Sequence, residues 1–210
     1  MKALKSIMPF GMLSSIAFFT MVILGQTLRN DYNPITSYIS ELTADGAPYT
    51  HLLRIFLNAS HMCLIIFAVG MSVLSFIYYR PALQFGYSSL FIMALISIVG
   101  FDLFPMTIDF IFSIQNIVHI LITTVIVGIT IVATIFISYG YMKHKRLNKL
   151  GWISTILTVL FTVFNIALLI SMILQSNIIG LIQRLGVYTF YLLIFILSFH
   201  YTFKFNKSLQ

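Results

Sequence analysis

Long apolar runs separated by short polar stretches dominate the chain. The runs are continuous in Leu, Ile, Phe and Val and do not alternate with polar residues, a pattern typical of membrane-spanning helices and not of a membrane barrel. At roughly twenty residues for each crossing, the runs predict six spans, at about 7–28, 51–78, 84–104, 116–141, 151–174 and 183–203. We therefore predict an all-α, polytopic membrane bundle that forms one domain over residues 1–210.

The composition supports a membrane protein over a soluble domain. The chain is 60% hydrophobic and only 8% charged, and its mean hydropathy is +1.01. The single cysteine, Cys63, excludes an intrachain disulfide. The first apolar run follows the basic start MKALK and is longer than the hydrophobic core of a signal peptide, so we expect it to be retained as the first span.

The basic residues of the connections predict the orientation. Nine lie on the side of the two termini and three on the other side, which by the positive-inside rule predicts cytoplasmic termini in a multi-pass protein of the cell membrane. The five acidic residues then fall on the outer side, and they are Asp31, Glu41, Asp45, Asp102 and Asp109. The net charge of +7 is therefore a feature of the inner face, and nucleic-acid binding is not needed to explain it.

The first outer loop concentrates polar residues and predicts a short amphipathic helix over 34–44. Asn33 is a favourable N-cap, Pro34 suits the first helical turn, and Gly46 suits the stop. On that helix the polar stripe comprises Ser37, Glu41 and Asp45, and the apolar stripe comprises Ile35, Ile39 and Leu42. The polar stripe faces either water or a polar site in the bundle, and we expect it to cover such a site as a lid.

Polar side chains also follow single faces of several spans at the outer end. On the second span they recur at i, i+3, i+7 and i+10, and are His51, Arg54, Asn58 and His61. Other spans add Asp102, Asn116, His119, Arg184 and Tyr188 at the same end. Such groups usually point to the bundle interior, a partner or a water-filled cavity. A ladder of helix-packing hydrogen bonds would be the structural alternative.

Residue types suggest roles for this outward-facing pocket. The candidate catalytic residues are Glu41, Asp102, His119 and His61, and the candidate substrate-binding residues are Arg54, Asn58, Asn116, Arg184 and Tyr188. Carboxylates near arginines form ion pairs, whereas carboxylates near histidines ligate metals or act as acids and bases. No metalloprotease or hydrolase motif is present, so a metal or other cofactor stays undecided.

The leading hypothesis is binding or processing of a lipid head group or similar amphiphile, with membrane lipids as partners. An enzyme of this kind would be an outer-leaflet hydrolase or transferase with His119 as the base. The alternatives are a proton-coupled or small-solute carrier, and a non-catalytic subunit with a membrane-protein partner. The carrier ranks lower because the spans lack the paired Gly and Pro interruptions of inverted-repeat transporters.

Three segments, YNPITSYISELTADGAPY, DLFPMTID and NIVHI, resemble the bacterial membrane family known as domain of unknown function 998. The family's motif residues match Asn33, Pro34, Ser40, Glu41, Leu42, Gly46, Ala47, Pro48, Asp102, Phe104, Pro105, Asp109 and His119. The family is similar in layout to six-helix eukaryotic proteins associated with lipid-anchor remodelling and lipid asymmetry. A fainter likeness in residue types extends to alkaline ceramidases. The resemblance thus implies a lipid-related role by analogy.

Overall fold

The computed structural model of the protein describes residues 2–108 and 113–208. Asp109, one of the predicted outer acids and motif residues, lies outside the described residues. The helices are α1 (Lys2–Ile7), α2 (Phe10–Leu28), α3 (Thr50–Tyr78), α4 (Pro81–Leu103), α5 (Ile114–Met142), α6 (Asn148–Ile173) and α7 (Ile179–Ser208), with short 3-10 helices at Ile39–Leu42 and Lys145–Leu147.

Six segments are long and apolar enough to cross a bilayer, the first of them combining α1 with α2. The predicted spans agree with these segments to within a few residues at most ends, and a six-span helical membrane bundle is confirmed. Many large apolar side chains point outward, such as Ile23, Phe76, Leu121 and Ile156, which are each more than half exposed. Lipid tails would cover this surface, since a bundle in a bilayer needs no polar exterior.

Local sequence explains where the spans begin and end. Pro81 occupies the first turn of α4, where its missing N–H costs nothing. The same helix ends at Leu103, because Pro105 disfavours helical backbone at the residue before it. Ser113 caps α5 by accepting a hydrogen bond from the backbone N–H of Asn116 at 3.1 Å. These boundaries set the depth at which the polar side chains of each span lie.

The spans form a ring in which each helix packs against its neighbours in sequence, and α7 returns to α2. We call the end that carries residues 29–50 the cap end. The opposite end, which carries the 3-10 helix Lys145–Leu147, we call the tyrosine end. The two ends of the ring differ in what fills their centre.

At the tyrosine end, four tyrosines from different segments form one chain of hydroxyl groups. Tyr87 of α4 and Tyr141 of α5 join their hydroxyls at 2.5 Å. The Tyr141 hydroxyl donates to Tyr201 of α7 at 3.0 Å, and the Tyr201 hydroxyl donates to Tyr79, which follows α3, at 3.0 Å. The side chains of Tyr87, Tyr141 and Tyr201 are fully buried. The centre of the ring is therefore filled at this depth.

The predicted amphipathic helix over 34–44 is wrong in extent. A turn follows Asn33, whose carbonyl accepts from Ser37 N at 2.8 Å, but Tyr38 is extended and only Ile39–Leu42 forms a 3-10 helix. The backbone N–H of Tyr38 donates to the Glu41 carboxylate at 2.8 Å. Because that local bond replaces a helical one, the loop is two short turns and not a continuous helix. The burial of Ile39 and Leu42 agrees with the predicted apolar stripe, whereas Ile35 is 47% exposed.

Candidate functional site

The loop at residues 29–50 is a cap that is held to the helices by their polar side chains. The backbone N–H of Ile39 donates to Oε1 of Gln183 at 2.7 Å. Arg184 donates from Nη1 to the carbonyl of Ser37 at 2.9 Å. One turn earlier in α7, Gly180 lies so close to Ser37 that a Cβ at position 180 would come within 2.9 Å of Ser37 backbone atoms. The cap is thus docked directly on the beginning of α7.

Two arginines flank one aromatic ring under the cap. The guanidinium carbons of Arg29 and Arg184 lie 5.4 Å and 5.3 Å from the centre of the Tyr32 ring, within cation–π range. The Tyr32 hydroxyl accepts from Arg184 and donates to the carbonyl of Tyr38 at 2.8 Å. Burial raises the pKa of Tyr32 to about 12, against the opposing effect of Arg184.

The two arginines differ in how their charge is balanced. Arg29 pairs with the exposed carboxylate of Asp31 at 2.6 Å, and this hydrogen bond holds the pKa of Asp31 below its usual value. Arg184 is 4% exposed, and its acceptors are the carbonyls of Ser37 and Gly180 and the hydroxyl of Tyr32. In the described chain no carboxylate lies within 4.0 Å of it, and its Nε has no partner. Arg184 is therefore a buried cation held by neutral groups.

Arg54 is committed to the cap itself. Its Nη2 pairs with Asp45 at 2.6 Å, and its Nε donates to the carbonyl of Thr43 at 3.0 Å. The Asp45 backbone N–H donates to the carbonyl of Met106 at 2.7 Å. The cap thereby joins the connection between α4 and α5, and Arg54 is already neutralised. Asp45 does not share a helical stripe with Ser37 and Glu41, because it lies beyond the end of the 3-10 helix.

Asn116 serves the same connection from α5. Its Oδ1 accepts from the backbone N–H of Thr107 at 2.8 Å, and its Nδ2 donates to the Thr107 carbonyl at 3.1 Å. Both edges of the amide are therefore used to fix the α4–α5 connection. Asn116 is 2% exposed, so these bonds account for a polar residue at the buried end of a span.

The carboxylate of Glu41 forms a hydrogen bond within the cap. Its carboxylate accepts from the backbone N–H of Tyr38 at 2.8 Å, and its own carbonyl accepts from Arg29 Nη1 at 2.8 Å. It forms no ion pair with a basic side chain of the described chain. Asp102 is exposed at the end of α4 and likewise has no such pair. The catalytic roles predicted for these two carboxylates stay predictions.

The polar face of α3 becomes more buried with depth. His51 is exposed, Arg54 and Asn58 are half-buried, and His61 is 5% exposed. His61 and Asn58 make no hydrogen bond with a described residue, and the buried Nδ1 of His61 is without a partner there. The lower half of this face therefore has hydrogen-bonding capacity that the fold does not use.

The imidazole rings of His61 and His119 both lie close to the aromatic ring of Phe101. The His61 ring is 6.0 Å from the Phe101 ring, and the Phe101 ring is 5.1 Å from the His119 ring. The Nδ1 atom of His119 lies 2.9 Å from the carbonyl oxygen of Phe104. A carbonyl can only accept, so Nδ1 carries the proton and Nε2 of the neutral ring keeps its lone pair. Such a ring is oriented for proton transfer or ligation.

The described residues contain no group of three or more His, Cys, Asp or Glu side chains that could hold a metal ion. The structure brings His61 and His119 close to the same aromatic residue, Phe101. Arg184 lies below the cap. The described residues form no metal cluster.

Tyr188 of α7 also lies at the cap end. It is half-buried and its ring lies 5.0 Å from that of Phe19. Two further residues at this end are not predicted from the sequence: Arg29, which holds the cap, and Asn165, a half-buried amide of α6 beside Gly186. A signal was available for Asn165, since an amide within an apolar span usually has a reason to be there.

The fold and these polar side chains define a six-span membrane protein with a capped polar end. A family model described as protein of unknown function (DUF998) matches residues 12–200. The chain therefore belongs to that family, and the expected resemblance is confirmed. No curated protein matches it, and no solved structure does either.

Proposed function

We propose that this protein binds an amphiphile with an anionic head group, such as a membrane lipid, at the cap end. The observation that carries the proposal is the state of Arg184. A buried guanidinium with only neutral partners is costly, because desolvation of the charge is not offset by an opposite charge. A phosphate or carboxylate of a ligand would supply that charge and an acceptor for Nε, in a strong charge-assisted hydrogen bond.

Other polar side chains at the cap end could form hydrogen bonds with the rest of a head group. Asn58, His61 and Tyr188 make no hydrogen bond with a described residue, and Nε2 of His119 is available. These side chains come from three different helices of the ring, so a ligand between them would contact α3, α5 and α7 together. The surrounding surface is apolar and lies in the bilayer, where the hydrocarbon chains of an amphiphile would remain.

Native mass spectrometry of the purified protein tests the anionic preference. The protein is mixed with phosphatidylglycerol or phosphatidylcholine, and we expect it to retain the anionic lipid preferentially. Arg184→Gln should lose that preference, whereas Arg146→Gln, at an exposed position of the tyrosine end, should keep it. Equal retention of both lipids by the unaltered protein would contradict the proposal.

The histidines offer a matched pair for the same measurement. His61→Leu removes the buried imidazole, and His51→Leu removes an exposed imidazole of the same helix. We expect weaker lipid retention only for the first variant, because only the buried ring can hydrogen-bond a head group away from water. Equal loss in both variants would argue that retention is a property of the outer surface.

Chemical processing of the bound amphiphile is a second candidate, and the orientation of His119 favours it. Its available Nε2 would take a proton from water or from a lipid hydroxyl as that oxygen bonds to the phosphorus of the head-group linkage. The opposite P–O bond would break, and Nε2 would return the proton to the leaving alcohol oxygen. Incubation with phosphatidylglycerol and analysis of products by mass spectrometry tests this reaction. His119→Gln and Glu41→Gln should each abolish turnover while leaving membrane insertion intact. Full turnover by both variants would leave binding as the function.

We also propose that the cap end lies outside the cell and that both termini lie in the cytoplasm. Single-cysteine variants at two exposed connections test it with a membrane-impermeant thiol reagent, after Cys63→Ala removes the native thiol. In intact cells Pro48→Cys should react and Lys145→Cys should not. The reverse pattern would invert the topology while leaving the site itself unchanged.

A further inference from the structure

The chain of four tyrosine hydroxyls connects helices that are not neighbours in the ring. Its four hydroxyls come from the end of α3 and from α4, α5 and α7, so they cross the centre of the ring instead of joining one neighbouring pair. Tyr141 lies in the middle of the chain, with the rings of Tyr87 and Tyr201 each 6.4 Å from its own.

Apolar side chains complete the closure at the same depth. They are fully or almost fully buried, and include Met71, Leu74, Leu83, Ile137, Leu147 and Leu197. Met8, which follows the short helix α1, is also completely buried, and its carbonyl accepts from Ser198 at 2.5 Å. Hydroxyl groups paired in this way leave few polar atoms to which water could bind, so the packed tyrosines exclude water.

The cap end is constructed differently. There the polar side chains of Asn58, Asn165 and Tyr188 are half-buried. Half-buried polar side chains are what a site open to solvent or to lipid head groups would present. The ring of helices is thus closed at the tyrosine end, whereas at the cap end polar side chains remain partly exposed.

We propose that the four-tyrosine network seals the ring, so that the capped site exchanges its ligand through the cap end alone and does not carry it across the membrane. This inference rests on the proposed binding site and decides between that site and a carrier. A carrier must open its site alternately to both sides. Here such opening would break three linked hydroxyl bonds and expose three fully buried tyrosines.

Thiol accessibility tests the seal from each side separately. In a Cys63→Ala background, Asn58→Cys places a reporter below the cap, and the protein is reconstituted in vesicles of either orientation. A charged, membrane-impermeant thiol reagent should label the reporter from the cap side and should not label it from the tyrosine side. Labelling from the tyrosine side, with the network intact, would overturn the seal.

Variants of α5 provide the positive and negative controls. Tyr141→Ala removes the central ring of the network and should produce labelling from the tyrosine side. Tyr139→Ala changes a tyrosine of the same helix that is 54% exposed, and should leave the pattern unaltered. Absence of new labelling in a folded Tyr141→Ala protein would show that the tyrosines are not the barrier and would overturn the proposal.

Lipid translocation gives a readout that does not depend on thiol labelling of the protein. Proteoliposomes carry a head-group-labelled fluorescent phosphatidylglycerol in both leaflets, and dithionite destroys the fluorescence of the outer leaflet. The inner-leaflet signal should stay protected, as it does in protein-free vesicles, and its loss would overturn the seal. Failure of lipid binding in the mass-spectrometry experiment, with the signal still protected, would instead remove the proposed function and leave the closure intact.

Discussion

The two ends of this bundle bury polar side chains for opposite purposes. At the tyrosine end the buried hydroxyls of Tyr87, Tyr141 and Tyr201 bond to one another. At the cap end Arg184 and His61 are almost as deeply buried, yet each keeps a nitrogen without a partner in the described chain. Paired hydroxyls are inexpensive inside a membrane protein, whereas an unbalanced charge is costly and usually marks function.

Three groups at the tyrosine end qualify this contrast without reversing it. The buried Oγ atoms of Ser72 in α3 and Ser154 in α6 have no partner in the described chain, and the third group is an imidazole nitrogen. The Nδ1 atom of His144 is buried and without a partner in the described chain, and the ring lies 5.7 Å from that of Tyr79. His144 belongs to the connection before the 3-10 helix Lys145–Leu147 and not to a span. The two ends therefore differ in charge, because the unpaired serine hydroxyls are neutral, whereas the cap end buries the guanidinium of Arg184 without a carboxylate beside it in the described chain.

The largest effect should come from emptying the centre of the tyrosine network. Tyr141→Ala removes a fully buried ring, and loss of an aromatic ring from a core costs about 3–5 kcal/mol. Tyr141→Phe keeps the ring and removes only the hydroxyl, for which we expect about 1–3 kcal/mol from the partners left unsatisfied. Thermal unfolding in detergent would measure both, with Tyr139→Ala as the exposed control. A Phe variant as unstable as the Ala variant would mean that hydroxyl pairing, and not ring packing, determines stability here.

A smaller effect is expected where the cap meets α7. Gly180→Ala would force a Cβ against the backbone of Ser37, and overpacking of this kind costs about 1–3 kcal/mol. We expect the cap to detach and to be cut faster by an added protease. Gly128→Ala is the matched control, because a Cβ there meets nothing within 4 Å, and it should stabilise α5 by up to about 1 kcal/mol. Equal protease resistance of the two variants would show that the cap is not held by this contact.

A further effect concerns the ionisation of Tyr32 in the cap. Its folded pKa of about 12 exceeds the value of about 10 in an unfolded chain. The contribution to stability is thus complete below pH 10 and is lost as the pH rises toward 12, because the unfolded state releases the proton first. The ultraviolet absorbance of phenolate, measured as the difference between the protein and Tyr32→Phe, follows this single group. Titration of the difference signal near pH 10 would indicate that the cap leaves Tyr32 in water.

Sequence pattern predicts most of the fold because hydrocarbon thickness dictates the length of each span. The six spans follow from apolar runs alone, and Pro81, Pro105 and Ser113 mark helix ends in the expected way. The cap does not follow from such rules. Asn33 does begin a turn, but the continuation to residue 44 fails since Tyr38 and Ile39 find partners in Glu41 and Gln183. The bond between Ile39 and Gln183 joins residues far apart in the chain, and such a bond leaves no periodic signal in the sequence.

The burial of several candidate residues can be predicted from the sequence, but their pairing cannot. Burial of His61, Asn116, His119 and Arg184 follows from the shared faces of their helices. The helix faces do not predict which arginine pairs with an acidic residue, because Arg54 and Asp45 are brought together only by the fold of the cap. The role of Arg29 was not anticipated for the same reason. Its distance from Tyr32 depends on a chain reversal just beyond α2.

Binding of an anionic head-group oxygen to Arg184 under the cap would be visible in a structure of the protein from a lipidic mesophase that contains phosphatidylglycerol. We expect a phosphate oxygen within hydrogen-bonding distance of Nε of Arg184, with the tyrosine network unchanged. An Arg184 side chain that still contacts only Ser37, Gly180 and Tyr32, with the lipid elsewhere on the surface, would contradict the proposed binding.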